Sequence, residues 1–181
     1  MKQKQVIPAS SEWRDLSIKD FRGSPSERIG REWMLITVGD TSKDKSGWNT
    51  MTASWGGLGV LWSRDVAFIV IRPSRRTYEF ANANSLFTLS FFPAACRKVL
   101  NICGSESGRD IDKATKAGLT PIVFDNGAVG FSEASEILIC KKLYTHDLDP
   151  SHFLDPSIEE SYHGTDYHRL FIGEVLTVKA P

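Results

Sequence analysis

The sequence predicts a mainly β fold with helical insertions, arranged as an antiparallel barrel. Two observations predict it. Stretches rich in β-branched and aromatic residues follow one another closely along the chain, and the helix-forming stretches are short and fall between them. A doubly wound parallel sheet would instead alternate strand and helix regularly. A chain of 181 residues has the length of one domain, and a domain near that size buries about two thirds of its surface.

The elements follow in order. The first thirty-one residues are polar and mixed, with Gly23 and Pro25, and are expected to form an arm (1–31) leading into the domain proper (32–181). From Trp33 the run W-M-L-I-T-V reads as a buried strand. Asp40 to Gly47 reads as a hairpin loop returning into a second strand that carries N-T-M-T-A-S-W-G-G-L-G-V-L-W, Asn49 to Trp62. Val66 to Arg72, V-A-F-I-V-I-R, is a third, stopped by Pro73. A short helix follows, with Ser74 or Thr77 as its N-cap and asparagines at its end. Phe87 to Phe92 alternates as a half-buried strand does. A second helix spans Ala94 to Ile102, with Gly104 as its stop. A third starts near Asp110 and ends at Gly118 and Pro121. Strands are expected at 122–124, Ala134 to Tyr144 and Leu170 to Val178. The aromatic-rich stretch from Thr145 to Tyr167 exceeds the usual loop length of about 12 to 15 residues, so it reads as a lid or an intersubunit arm.

Composition excludes several classes. No apolar run approaches the roughly 18 residues of a membrane helix, and 22 basic residues balance 22 acidic ones. No general positive field therefore draws in nucleic acid or an anionic membrane, and any anion must be held locally. The polar start lacks a secretory signal's apolar segment. Cys96, Cys103 and Cys140 show no CxxC spacing and read as reduced, buried thiols of a cytoplasmic protein, not as a disulfide or zinc framework. His163 and His168, with Asp166 between them, have neither the HExxH pattern nor a helical face, so no metal site is expected.

Two motifs carry chemistry. R-P-S-R-R-T, Arg72 to Thr77, sets hydroxyls, free amides and guanidinium forks in one turn at a helix start, which suits a phosphate. It reads equally as solvated arginines beside a helix cap. Gly56, Gly57 and Gly59 are not the dinucleotide fingerprint, since no helix follows. They suggest a bulge, tight packing, or close approach of a flat ligand. Trp55 suits either a stacking platform or the core. Considered together, the motifs describe a ligand with a phosphate at one end, a planar polar ring at the other and hydroxyls between, which is flavin mononucleotide (FMN).

These segments, with F-T-L-S-F-F, C-G-S-E-S-G-R-D-I-D-K, A-G-L-T-P and D-Y-H-R-L-F-I-G-E-V, resemble the flavin reductase-like family of FMN-binding split barrels, close to its flavoredoxin branch. The resemblance runs from about Glu32 to the C-terminus. It implies a Greek-key-like, six-stranded split barrel that forms a homodimer with FMN near the subunit interface. Carried over, Asn49, Thr50, Met51, Thr52, Ala53, Ser54 and Trp55 would line the ribityl chain and the polar edge of the ring. Arg72, Ser74, Arg75, Arg76 and Thr77 would hold the phosphate. The segment of Ser107, Gly108, Arg109 and Lys113, with His168, would approach the ring face or a nicotinamide, from the same or the partner subunit. His168 reads equally as a surface histidine. No catalytic side chain is assigned.

FMN has about 31 non-hydrogen atoms, which at about 0.3 kcal/mol each sum to roughly 9 kcal/mol, a sub-micromolar dissociation constant. Two functions follow from the resemblance. One is hydride transfer from NADH or NADPH to FMN and onward electron transfer. The other is a flavoredoxin-type carrier that receives electrons from a redox protein partner. A split-barrel oxidase of the pyridoxamine phosphate type is a third, for which the sequence holds no substrate-specific residues.

Overall fold

The computed structural model describes residues 6–10, 12–39 and 47–181. Its principal sheet has eight strands. In chain order they are β2 (Arg14–Leu16), β3 (Met34–Gly39), β4 (Trp48–Ala53), β5 (Gly56–Leu61), β6 (Arg64–Ile71), β7 (Leu86–Phe91), β10 (Glu136–Asp147) and β11 (Arg169–Ala180). The hydrogen-bonded order is β4-β3-β7-β10-β11-β6-β5, with β2 also on β11, and these pairings are antiparallel. A small second sheet joins β1 (Ile7–Pro8), β8 (Pro121–Val123) and β9 (Val129–Phe131). The fold is thus mainly β and antiparallel, with helices inserted between strands.

Chain order explains the curl. β4 and β5 lie at opposite margins of the sheet, yet only Ser54 and Trp55 separate them along the chain. The sheet must therefore bend round until its margins nearly meet, which gives a barrel left open at Ser54–Trp55. Side-chain alternation along the strands agrees. Ile36, Ile69, Leu89, Leu138 and Phe171, from five different strands, converge in one cluster, as only the inner face of a curved sheet allows. The intervening residues of β3 and β10, Leu35, Ile137 and Ile139, face a second cluster with Phe131, Leu100 and Trp48. That second layer is capped by the small sheet and by the helices after β7.

Those helices are α3 (Arg97–Ser105) and α4 (Lys113–Ala117); earlier in the chain come the short turn α1 (Pro25–Glu27) and, before β7, α2 (Arg76–Ala83). α2 packs Tyr78, Phe80 and Ala81 against the barrel cluster. Lys142 closes its end, donating to the carbonyls of Ala81 and Asn82 at 2.5 and 3.2 Å, where the helix dipole favours a cation. The arm is stitched into the fold, since β1 pairs with β8 and β2 with β11.

Several sequence expectations are corrected. Asn49 to Trp62 is two strands, because Ser54–Trp55 interrupts the pairing where the barrel opens. The N-cap of α2 is Arg75, not Ser74 or Thr77. Ser74 bonds elsewhere, and Thr77 is already within the helix and buried. Gly104 lies inside α3, which is capped by Glu106. The N-cap of α4 is Asp112, two residues after Asp110, because Asp112 accepts the Thr115 N–H; the helix's end at a left-handed Gly118 (φ 72°) is as expected. β10 runs to Asp147, so the long loop is shorter than 145–167. β9 was not expected. The hairpin loop at 40–47 falls outside the described residues apart from Gly47.

Candidate functional site

An open cleft of about 250 Å³ lies at the gap in the barrel, lined by Met51, Thr52, Ala53, Ser54, Trp55, Val70, Arg72, Arg75 and His168. Three elements supply it. They are the end of β4 with its link to β5, the end of β6 with the turn before α2, and the residue entering β11. Among the described residues no strand pairs with the outer margin of β4, so its backbone groups are open to side chains or a ligand.

At the edge of the cleft the chain holds one of its own carboxylates. Ser74 donates both its backbone N–H and its hydroxyl to the Asp166 carboxylate, at 2.9 and 2.6 Å. Arg72 stands 3.9 Å from the same carboxylate. Its guanidinium also donates to the Ser161 carbonyl at 2.6 Å and lies 5.0 Å from the centre of the Tyr162 ring. Arg75 is exposed and reaches only the Gly104 carbonyl, at 3.4 Å.

Aromatic and imidazole rings stand beside it. Trp55 is 46% exposed, and its ring centre lies 5.0 Å from that of His168. His168 is buried, and a 2.9 Å hydrogen bond joins its Nδ1 to the Tyr162 hydroxyl. Burial above all, then the positive charge of Arg72, pushes the His168 imidazole down to about 4, against an opposing pull from Asp166. It is neutral at pH 7. An NMR titration of the His168 ring is expected to show no midpoint near 6.5 and a transition only towards pH 4. A midpoint at or above 6 would place this ring in water.

The structure divides the sequence-predicted residues into two groups. Met51, Thr52, Ala53, Ser54, Trp55, Arg72, Arg75 and His168 border the cleft, and Ser74 holds the anion at its edge. Asn49, Thr50, Thr77, Arg76 and Lys113 lie behind it. Asn49 Nδ2 donates to Thr77 Oγ1 at 2.7 Å, and the Thr37 and Thr50 hydroxyls are 2.9 Å apart. All four are buried, so these polar groups satisfy one another. Even Thr52 spends its hydroxyl on the Leu100 carbonyl, at 2.5 Å. Arg76 donates to the Gly108 carbonyl at 2.5 Å and lies over Phe80.

Lys113 is the unusual member. Its ammonium is buried and donates to the carbonyls of Thr50 and Cys103 at 3.0 and 2.7 Å, clamping β4 to α3. Burial lowers it to about 8 and raises the neighbouring Cys103 thiol to about 11. That thiol is therefore neutral and carries no nucleophilic role. Gly108 packs so closely on this layer that a Cβ there would meet Asn49 Oδ1 at 2.1 Å. Arg109 turns the same segment towards the site, donating to the Ser74 carbonyl at 3.0 Å and pairing with Glu79.

Sequence reasoning missed Val70, Tyr162 and the anion-site role of Asp166. The loop between β10 and β11 lies over its own chain. It includes 3-10 turns at Pro150–His152 and Pro156–Ser161, and Phe153, Tyr162 and Tyr167 form an aromatic cluster.

A family model described as "Flavin reductase like domain" matches residues 26–181. No curated protein matches the chain. Among solved structures, an FMN-binding domain of a flavin reductases-like enzyme from Shewanella baltica is 17% identical, with 93% of this chain and 76% of that one covered and a TM-score of 0.65. Flavoredoxin of Desulfovibrio vulgaris is 22% identical over 92% of this chain and 76% of its own, with a TM-score of 0.63. The NADH:FAD oxidoreductase SgcE6 of Streptomyces globisporus, in complex with NAD and FAD fragments, is 20% identical over 83% and 74%, with a TM-score of 0.60.

Proposed function

Because the chain belongs to the flavin reductase like domain family, we propose that it is an oxidoreductase that holds FMN in the Trp55–Arg75 cleft, accepts hydride from NADH or NADPH and passes electrons onward. The observation that carries this is the Asp166 carboxylate seated on Ser74 and Arg72. A carboxylate offers the same charged oxygen acceptors as a phosphate, so the turn already binds the kind of group the ligand would bring. Trp55 and the neutral imidazole of His168 line the same cleft. The chemistry of the residues therefore fits both a phosphate and a flat ring.

Arg72, Ser74 and Arg75 would hold the phosphate. Backbone groups along the free margin of β4, from Thr52 to Trp55, would meet the polar edge of the ring. Trp55 would shield the ring from water. His168, neutral at working pH, would offer a hydrogen bond there without adding positive charge. Lys113, Asn49 and Thr77 are positioning residues, since they fix β4 and α2 from behind. When bound, FMN supplies the hydride and electron chemistry itself, so no acid–base pair is required of the protein.

The cleft is smaller than the roughly 300–1,000 Å³ of most ligand sites and open, so one chain leaves part of such a ligand uncovered. An apolar strip crosses β5, β6 and β11 beyond it, with Val60 73% exposed and Leu61, Trp62, Phe68 and Leu176 exposed as well. A patch of this kind marks an interface. Both features support a homodimer in which the second copy completes the site. Among the described residues no helix is long and apolar enough to cross a membrane, and a cytoplasmic location fits the unpaired thiols.

The test is anaerobic mixing of FMN-loaded protein with NADH or NADPH while the flavin absorbance near about 450 nm is followed. Rapid bleaching is expected. Bleaching only by a reduced protein donor would assign the flavoredoxin-type carrier instead, and a protein that takes up no FMN overturns both.

A further inference from the structure

The Asp166 contact has a cost for the ligand it imitates. Resting on the preceding functional reading, we propose that Asp166 is an internal anion that competes with the flavin phosphate, so that phosphate occupancy and the closed position of the loop between β10 and β11 exclude one another. The seat is the same set of atoms. The Ser74 N–H and hydroxyl are both taken by the carboxylate, and Arg72 is held by it and by the Asp166 and Ser161 carbonyls. A phosphate cannot use these donors until Asp166 leaves.

Arg72 and Ser74 hold the loop at this place, and bonds within the loop keep it packed as a unit. Arg72 lies over Tyr162, Tyr162 bonds to His168, and Glu159 accepts from Tyr167 at 2.8 Å and from the Gly164 N–H at 2.7 Å. Displacing the carboxylate therefore releases a packed segment and not a lone side chain. A flavin without a phosphate meets no such competition and leaves the loop in place. The device would weaken FMN binding by the fraction of time the turn is occupied and would report the phosphate's arrival through the loop.

Wild type, Asp166→Ala and Asp166→Asn are titrated with FMN and with riboflavin by quenching of flavin fluorescence. Both variants are expected to bind FMN more tightly, by about tenfold or more for the alanine, with riboflavin affinity within about twofold of wild type. In wild type, FMN but not riboflavin is expected to speed hydrogen exchange across residues 156–167. FMN affinity unchanged or weakened in both variants overturns the proposal, as does FMN slowing that exchange. If wild type binds FMN and substitution of Arg75 weakens it while Asp166 is without effect, the competition alone is lost. If no form binds flavin, the functional reading fails and the competition with it. FMN binding in the variants but not in wild type supports both.

Discussion

Arg75→Ala is expected to weaken FMN binding by about tenfold or more, because a charge-assisted hydrogen bond contributes roughly 1.5–3 kcal/mol. The structure separates this arginine from its neighbour. Arg75 is exposed at the cleft, with only a long contact to the Gly104 carbonyl, so it is free to turn to an arriving anion. Arg76 is committed to the Gly108 carbonyl and to Phe80. Its loss would loosen the segment that packs on Asn49. Fluorescence titration should therefore show the affinity loss in Arg75→Ala with an unchanged apoprotein melting temperature. Arg76→Ala should lower the melting temperature. Equal FMN affinity in wild type and Arg75→Ala would remove this arginine from the anion site.

The stability of the protein is expected to rise as pH goes from 8 to about 10, and Lys113→Met should abolish that rise. Below pH 8 the lysine is charged in both folded and unfolded chains, and the cost of burying the charge is constant. Its folded value is lowered to about 8 by burial, whereas the unfolded chain keeps its proton to about 10.4. Between those limits the unfolded state binds more protons, so stability increases with pH. The gain attributable to this group is about 2 kcal/mol by pH 10. Denaturant unfolding of the two proteins at pH 7.5 and pH 10 measures it by difference, which cancels other groups titrating over the same range. A wild-type advantage that does not grow with pH would mean the ammonium is not desolvated.

Much of this was legible in the sequence because it is local. β-branched runs located most of the strands. Of the residues named from the hydroxyl strand and the arginine turn, seven border one cleft, together with His168. What was not legible depends on partners distant along the chain. Asn49 and Thr50 look like a ligand-facing hydroxyl row, but their partners are Thr77 and Thr37. Such pairing shows only once the barrel has closed. Asp166 lies 92 residues from Ser74, and nothing beside it in the sequence announces an anion seat. Lys113 was placed in the right neighbourhood, yet its head turns inward to two carbonyls. At α2 the expected cap Ser74 has a better bond, to Asp166, and the cap position falls to Arg75.

The margin of β5 has a practical consequence. Among the described residues its outer side pairs with no strand, and Val60, Leu61 and Trp62 are exposed at its tip. Unpaired amides beside bare apolar side chains are a template onto which a foreign chain can zip. A dilute, uncovered copy should be prone to clumping, and a single lysine at Val60 is the kind of gatekeeper that would keep it in solution.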